Sequence, residues 1–192
     1  MTTKSAIRAQ IKERILALPQ PAREEEERAI SVAVRSLSEW TNAELLLTYD
    51  ALPDEVSTDH LTQDAWHSAK RVFLPRIAGS TLEFLPHGSA GGEALVRHPL
   101  GMREPIRGGQ WTARAGATIV LIPGRAFARD GSRLGRGGGY YDRFLSSLDR
   151  HVRDDLLLVG LSYRAQMLDE LPVEGHDVGM DLIVCGGEII RP

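Results

Sequence analysis

Ile7, Ile11 and Ile15 recur every four residues between polar positions, the spacing of one helical face, and predict an amphipathic helix over 5–18. Pro19 and Pro21 are expected to end it. A second helix is predicted over 23–39, with Ile30, Val34 and Leu37 facing inward. The glutamates at 24–27 fall near its start, where the macrodipole favours acids, and read as a solvated face rather than a metal site.

The period then changes. Residues 44–49 carry a short apolar run, Leu45-Leu46-Leu47, suited to a strand buried on both faces. A helix is predicted over 58–69, a strand over 71–74 that stops before Pro75, and a further strand over 82–85. From 86 to 114 glycine and proline are frequent and no period is visible, so no element is assigned. The run 117–122 is the clearest strand, stopped by Pro123-Gly124. A long polar, glycine-rich loop follows, then a helix over 140–151 and strands over 156–159 and 182–184. Strands alternating with helices predict an α/β fold: a single domain whose largely parallel central sheet is flanked by helices in a three-layer, Rossmann-like arrangement. In such sheets ligands gather beyond the carboxyl ends of the strands, which directs attention to the loop after Ile122.

Composition narrows the partners. At 192 residues, with 42% hydrophobic and 26% charged, the chain has ordinary globular values. A net charge of −3 argues against a general nucleic-acid binder but not against an anionic small molecule. Cys185 is the only cysteine, which excludes an intrachain disulfide and a thiolate zinc site; its apolar neighbours make it a buried structural thiol. No run approaches the ~20 apolar residues of a membrane span, and the first eight residues hold no apolar signal core. A cytoplasmic monomer acting on small molecules is the expectation.

The loop from Asp130 to Asp142 places Gly131, Gly135, Gly137, Gly138 and Gly139 between a buried strand and a helix. Glycine backbone can approach a ligand closely, and inward-turned N–H groups make an anion-binding concavity. Arg133 and Arg136 add charge and bidentate donors, so a nucleotide polyphosphate suits the loop. A Walker A loop is excluded because Tyr140 follows Gly139, and the dinucleotide fingerprint fails because position 140 is not glycine. Asp142 either complements the helix dipole or holds Mg²⁺; on this residue alone the two readings weigh equally. By themselves Lys4 and Arg8, one helical turn apart, read as a solvated face.

Pro123-Gly-Arg-Ala-Phe127 followed by Gly131-Ser-Arg-Leu-Gly-Arg-Gly-Gly-Gly-Tyr-Tyr-Asp142 resembles the signature of 5-formyltetrahydrofolate cyclo-ligases, also called methenyltetrahydrofolate synthetases. Lys4 with Arg8, Asp54-Glu-Val-Ser-Thr58, Phe73-Leu-Pro-Arg76, Glu104-Pro105 and His176-Asp177 with Asp181 resemble further family segments in order and spacing. Three positions depart from it: Arg125 stands where an aliphatic residue is common, Ala128 where Asp is frequent, and Gly138 where several members carry lysine.

The resemblance implies ATP as co-substrate and Mg²⁺ as cofactor. ATP would phosphorylate the formyl oxygen, N10 would attack the activated carbon, and phosphate would leave as the methenyl bridge closes. Lys4, Arg8, Arg133, Leu134, Gly135, Arg136, Gly137, Gly138, Gly139, Tyr140 and Tyr141 would hold ATP. Arg8, Glu55, Arg136, Gly137, Gly138, Gly139 and Tyr140 would contact the folate. Arg136 and Tyr140 are the implied catalytic residues, and Asp142 and Asp177 the implied Mg²⁺ ligands. A sugar-phosphate or acyl-transfer enzyme on a related fold would need neither ATP nor Mg²⁺, and a non-catalytic folate or nucleotide binder would show no turnover.

Overall fold

The computed structural model describes residues 3–89, 94–112 and 116–192. Of the unassigned 86–114 stretch, residues 90–93, 113 and 114 therefore lie outside the described residues.

Helix α1 (Lys4–Leu16) starts at Thr3, whose hydroxyl accepts a hydrogen bond from the Ala6 N–H, and it buries Ile7, Ile11 and Ile15 as their spacing predicts. Helix α2 begins earlier than predicted, at Gln20 (Gln20–Arg35), because Pro21 sits in its first turn, where a missing N–H has no cost. The four glutamates consequently start in its second turn. Two of them are not merely solvated: Glu27 accepts from the Ser57 N–H at 3.3 Å and from the Tyr163 hydroxyl, and Glu26 from the Arg164 N–H at 2.8 Å. The chain turns at Ser36-Leu37 into a separate short helix, α3 (Ser38–Asn42), which buries Trp40. The predicted single helix over 23–39 is thus two.

The strands are β1 (Leu45–Leu47), β2 (Arg71–Ala78), β3 (Thr81–Pro86), β4 (Leu95–Arg97), β5 (Arg103–Pro105), β6 (Thr118–Ile122), β7 (Ala126–Ala128), β8 (Arg133–Leu134), β9 (Leu156–Ser162), β10 (Met167–Leu168), β11 (Leu182–Cys185) and β12 (Glu188–Ile190). The remaining helices are α4 (Asp59–His67), α5 (Tyr140–Ser146) and α6 (Arg150–Asp154). The main sheet has the order β12-β11-β9-β6-β1-β2-β3; its five inner strands run parallel, and the edge strands β12 and β3 are antiparallel.

Alternation along the inner strands builds two cores. Leu46, Val72, Ile119, Val159 and Leu182 join the face covered by α1, α2 and α4. Leu45, Leu47, Phe73, Val120, Leu158 and Ile183 join the face covered by α5. Helices on both faces of a mostly parallel sheet give the three layers that the pattern predicts.

Three elements differ from expectation. Strand β2 runs through Pro75 instead of stopping before it. The Ile77 N–H donates to Glu104 Oε1 at 3.0 Å, away from β3, so by two-residue alternation Pro75 turns its missing N–H to that same side, beyond the end of β1. The helix predicted over 140–151 breaks at Ser147, giving α5 and α6. The loop after Ile122 contains the β7–β8 hairpin, whose Ala126, Phe127 and Ala128 are fully buried.

Candidate active site

Tyr49 and Asp50 follow β1, and Pro123 follows β6; these carboxyl ends open onto a cleft of about 410 Å³, a volume typical of small-molecule sites. One wall is apolar, built by Leu52, Pro75, Ile77, Leu82, Leu100 and Met102. Another part of the wall is the glycine loop with Arg133, Arg136, Tyr140, Tyr141 and Asp142. The loop needs glycine where it turns: Gly137 has φ +107° and Gly139, which precedes α5, has φ +64°.

The charged groups of this wall are already paired. Arg133, on β8, is buried; its Nη2 donates to Asp142 Oδ1 at 2.6 Å, while its Nε is buried without a hydrogen-bond partner. The same Asp142 oxygen accepts from the Val178 N–H at 3.3 Å, which brings the segment carrying Asp177 alongside α5. Asp177 Oδ2 in turn accepts from Lys4 Nζ at 2.7 Å. Burial acts to raise the Asp177 carboxyl, but hydrogen bonds from Lys4 and the Glu174 N–H outweigh it and hold the carboxyl below its usual range. Burial likewise acts to lower Lys4, and the hydrogen bond and charge of Asp177 reverse that, raising it.

On the other side, Arg136 Nη1 donates to Asp54 Oδ1 at 2.6 Å and lies 3.2 Å from Glu55 Oε1. Burial drives the Glu55 carboxyl upward, and the Leu52 N–H and Arg136 only partly offset it. Glu55 does not cap a helix: its Oε2 accepts from the Leu52 N–H at 3.0 Å, and α4 starts only at Asp59. Tyr141 Oη is buried with no hydrogen-bond partner, and burial pushes its pKa well above that of an ordinary phenol. Such an orphaned hydroxyl in a cleft wall invites a ligand atom.

Glu55, Arg133, Gly135, Arg136, Gly138, Gly139, Tyr140, Tyr141 and Asp142 therefore meet in one cleft. Lys4, Arg8, Gly137 and Asp177 are not among the residues lining it; Arg8 Nε reaches the loop by donating to the Gly135 carbonyl at 2.8 Å. Leu134 turns its side chain into the core, and its carbonyl accepts from the Arg125 N–H at 2.7 Å. Among the described residues no three acidic, histidine or cysteine side chains cluster as a metal site; Asp142 and Asp177 are brought near each other by the Val178 N–H bond to Asp142, and two carboxylates are enough for a cation that also takes phosphate oxygens and water.

Sequence reasoning gave no site role to Asp54, Arg125 or Arg143. Arg143 lies over the Tyr140 ring at 5.3 Å and donates to the carbonyls of Gly138 and Ser80, each at 2.5 Å, tying the loop to the β2–β3 turn. Its position three residues after Tyr140, on the same helical face, was the available signal. Gly138 fits this packing, since a Cβ there would lie 2.7 Å from the Tyr140 ring.

Residues 1–186 match the 5-formyltetrahydrofolate cyclo-ligase family. The 5-formyltetrahydrofolate cyclo-ligase of Saccharomyces cerevisiae is 31% identical, over 97% of this chain and 96% of its own. The enzyme of that name from Mus musculus is 25% identical, over 95% and 93%. The solution structure of Aquifex aeolicus 5,10-methenyltetrahydrofolate synthetase superposes with a TM-score of 0.83 at 26% identity, covering 99% of this chain and 93% of the other. Sequence and fold thus agree: this chain belongs to the 5-formyltetrahydrofolate cyclo-ligase family of ligases.

Proposed function

We propose that the protein uses ATP and Mg²⁺ to convert 5-formyltetrahydrofolate into 5,10-methenyltetrahydrofolate. The observation that carries this reading is one cleft that joins a cation-bearing glycine loop, apolar side chains and the buried Glu55, which accepts from Arg136 of that loop. The loop suits phosphates, and the apolar side chains with Glu55 suit a flat, partly apolar ring system with N–H donors.

The donor set also suits Mg²⁺. Asp142 and Asp177 each bond a cation that an arriving phosphate can take over, freeing a carboxylate for the ion. When bound, Mg²⁺ would neutralise charge on the transferring phosphoryl group. Arg133, with its unpartnered Nε, and Arg136 orient phosphate oxygens. Glu55 accepts from the pterin, and the Tyr141 hydroxyl completes the ring's contacts.

In the reaction the formyl oxygen attacks the γ-phosphorus and ADP departs. N10 then attacks the activated carbon and loses its proton, and phosphate leaves as the ring closes. A formyl oxygen is a poor leaving group until phosphorylated, so the coupling to ATP has a chemical reason. Catalysis here lies in positioning and charge compensation.

The test is the absorbance of the methenyl product on mixing protein, Mg·ATP and 5-formyltetrahydrofolate. Its appearance only with all three present supports the reading. Tight binding of both substrates without product would identify a non-catalytic binding protein instead.

A further inference from the structure

Asp54 is buried, and two arginines from different elements divide its oxygens: Arg125 Nη1 at 2.7 Å on Oδ2 and Arg136 Nη1 at 2.6 Å on Oδ1. The Arg125 side chain is 6% exposed and touches no ligand-accessible surface of the cleft, whereas that of Arg136 is 38% exposed and lines it. Both contacts of Arg136 to acids run through one nitrogen, Nη1. The guanidinium edge formed by Nη2 and Nε has no protein acceptor among the described residues. That is the edge with which an arginine grips an oxyanion through two parallel hydrogen bonds.

We propose that Arg125 and Asp54 are positioning residues, a buried relay that fixes Arg136 by Nη1 and so presents its Nη2–Nε edge to a phosphoryl oxygen. This rests on the reading of the loop as a phosphate site. Arg125 supplies the second positive charge that Asp54 needs. Without it, Asp54 has a single counter-ion, and the free oxygen draws the Arg136 guanidinium into a two-pronged pair of its own. The edge meant for phosphate is then spent on the protein. Burial acts to raise the Asp54 carboxyl, and its bonds to Arg136 and Arg125 more than reverse this, so both arginines face a full negative charge.

The relay makes the effects of Arg125 and Arg136 interdependent, which a double-mutant cycle reads directly. Affinity for Mg·ATP is to be measured calorimetrically in the wild type, Arg125→Leu, Arg136→Ala and the double variant. Arg125→Leu is expected to weaken binding by roughly five- to tenfold although it touches no ligand, and to add nothing once Arg136 is absent. Arg125→Lys, which keeps the charge, is expected to recover part of the loss. Should Arg125→Leu fail to fold, Asp54→Asn takes its place in the same cycle. Independent, multiplicative losses, or an Arg125→Leu affinity equal to wild type, overturn the relay. A wild type that does not bind Mg·ATP overturns the phosphate reading itself, and the two failures are thus distinguishable.

Discussion

Two sets of acids and cations flank the glycine loop, and they are wired differently. In the inner set a single buried acid, Asp54, holds two arginines, and Glu55 shares one of them. In the outer set Asp142 and Asp177 each hold a single arginine or lysine, Arg133 and Lys4, and Lys4 also lies 3.4 Å from Glu174. An acid bonded to one cation can exchange it for a metal ion when a phosphate takes the cation. Asp54 cannot release Arg125, whose side chain is 6% exposed, without stranding a buried charge. The Asp54–Arg125 pair is therefore scaffold, and the outer set is where ligands are expected to change the pairing.

The largest effect should come from breaking the scaffold. Asp54→Ala leaves Arg125 buried and unpaired, a class of change that costs about 3–5 kcal/mol. Urea unfolding should show a lower midpoint at unchanged slope. A loss below about 1 kcal/mol, the size of an exposed pair, would show that the inner set carries no such role. Arg136→Ala sharpens the contrast from the other end, since Asp54 keeps Arg125. Folding stability should hardly move, while Mg·ATP affinity falls by about 1.5–3 kcal/mol, the worth of a charge-assisted bond. Unchanged affinity for ATP and unchanged turnover would remove Arg136 from the phosphate site. Tyr141→Phe should cost less again. The hydroxyl has no protein partner, so melting should stay level or rise slightly, and folate affinity should drop by about 0.5–1.5 kcal/mol. Equal affinity with a lower melting temperature would assign Tyr141 to packing.

The same division decides what the chain discloses as a string of residues. Period reveals the parallel strands and α1, because one buried face repeats along each element. It misses the β7–β8 hairpin, where Ala126 to Ala128 are buried on every side and too few to show alternation. It also misreads Pro75, whose tolerance inside β2 depends on where β1 ends, a fact of tertiary pairing. Within the site, the outer acids Asp142 and Asp177 stand out through the family resemblance. Arg125 shows as a charge beside the apolar run 126–128 and as a departure from the family signature, and nothing local says that its partner lies 71 residues earlier. Ion pairs between distant elements leave no spacing to read.

The smallest expected effect concerns Asp177→Asn, which probes whether the outer set exchanges partners. The Lys4 and Asp177 side chains are each 19% exposed, so their pair should contribute at most about 1 kcal/mol to folding. Its pH signature has a definite sign. The Asp177 carboxyl is held below its ordinary 3.8, so the contribution is complete above that value and is lost as pH falls through the lower folded value. Lys4 is raised above its ordinary 10.5, so the contribution persists up to that pH and is lost as pH rises through the higher folded value. The stability gap between wild type and Asp177→Asn should therefore be flat from about pH 4 to about pH 10 and close at both ends. Melting temperatures across that range check it, and a gap that changes within it would overturn the assignment. With substrates present a second readout appears. If Asp177 passes from Lys4 to Mg²⁺, the variant should need more Mg²⁺ for half-maximal activity, and combining it with Asp142→Asn should cost less than the sum of the two. A normal Mg²⁺ titration in Asp177→Asn would leave Asp142 as the sole carboxylate for the ion and make Lys4–Asp177 a structural clasp between α1 and the segment before β11.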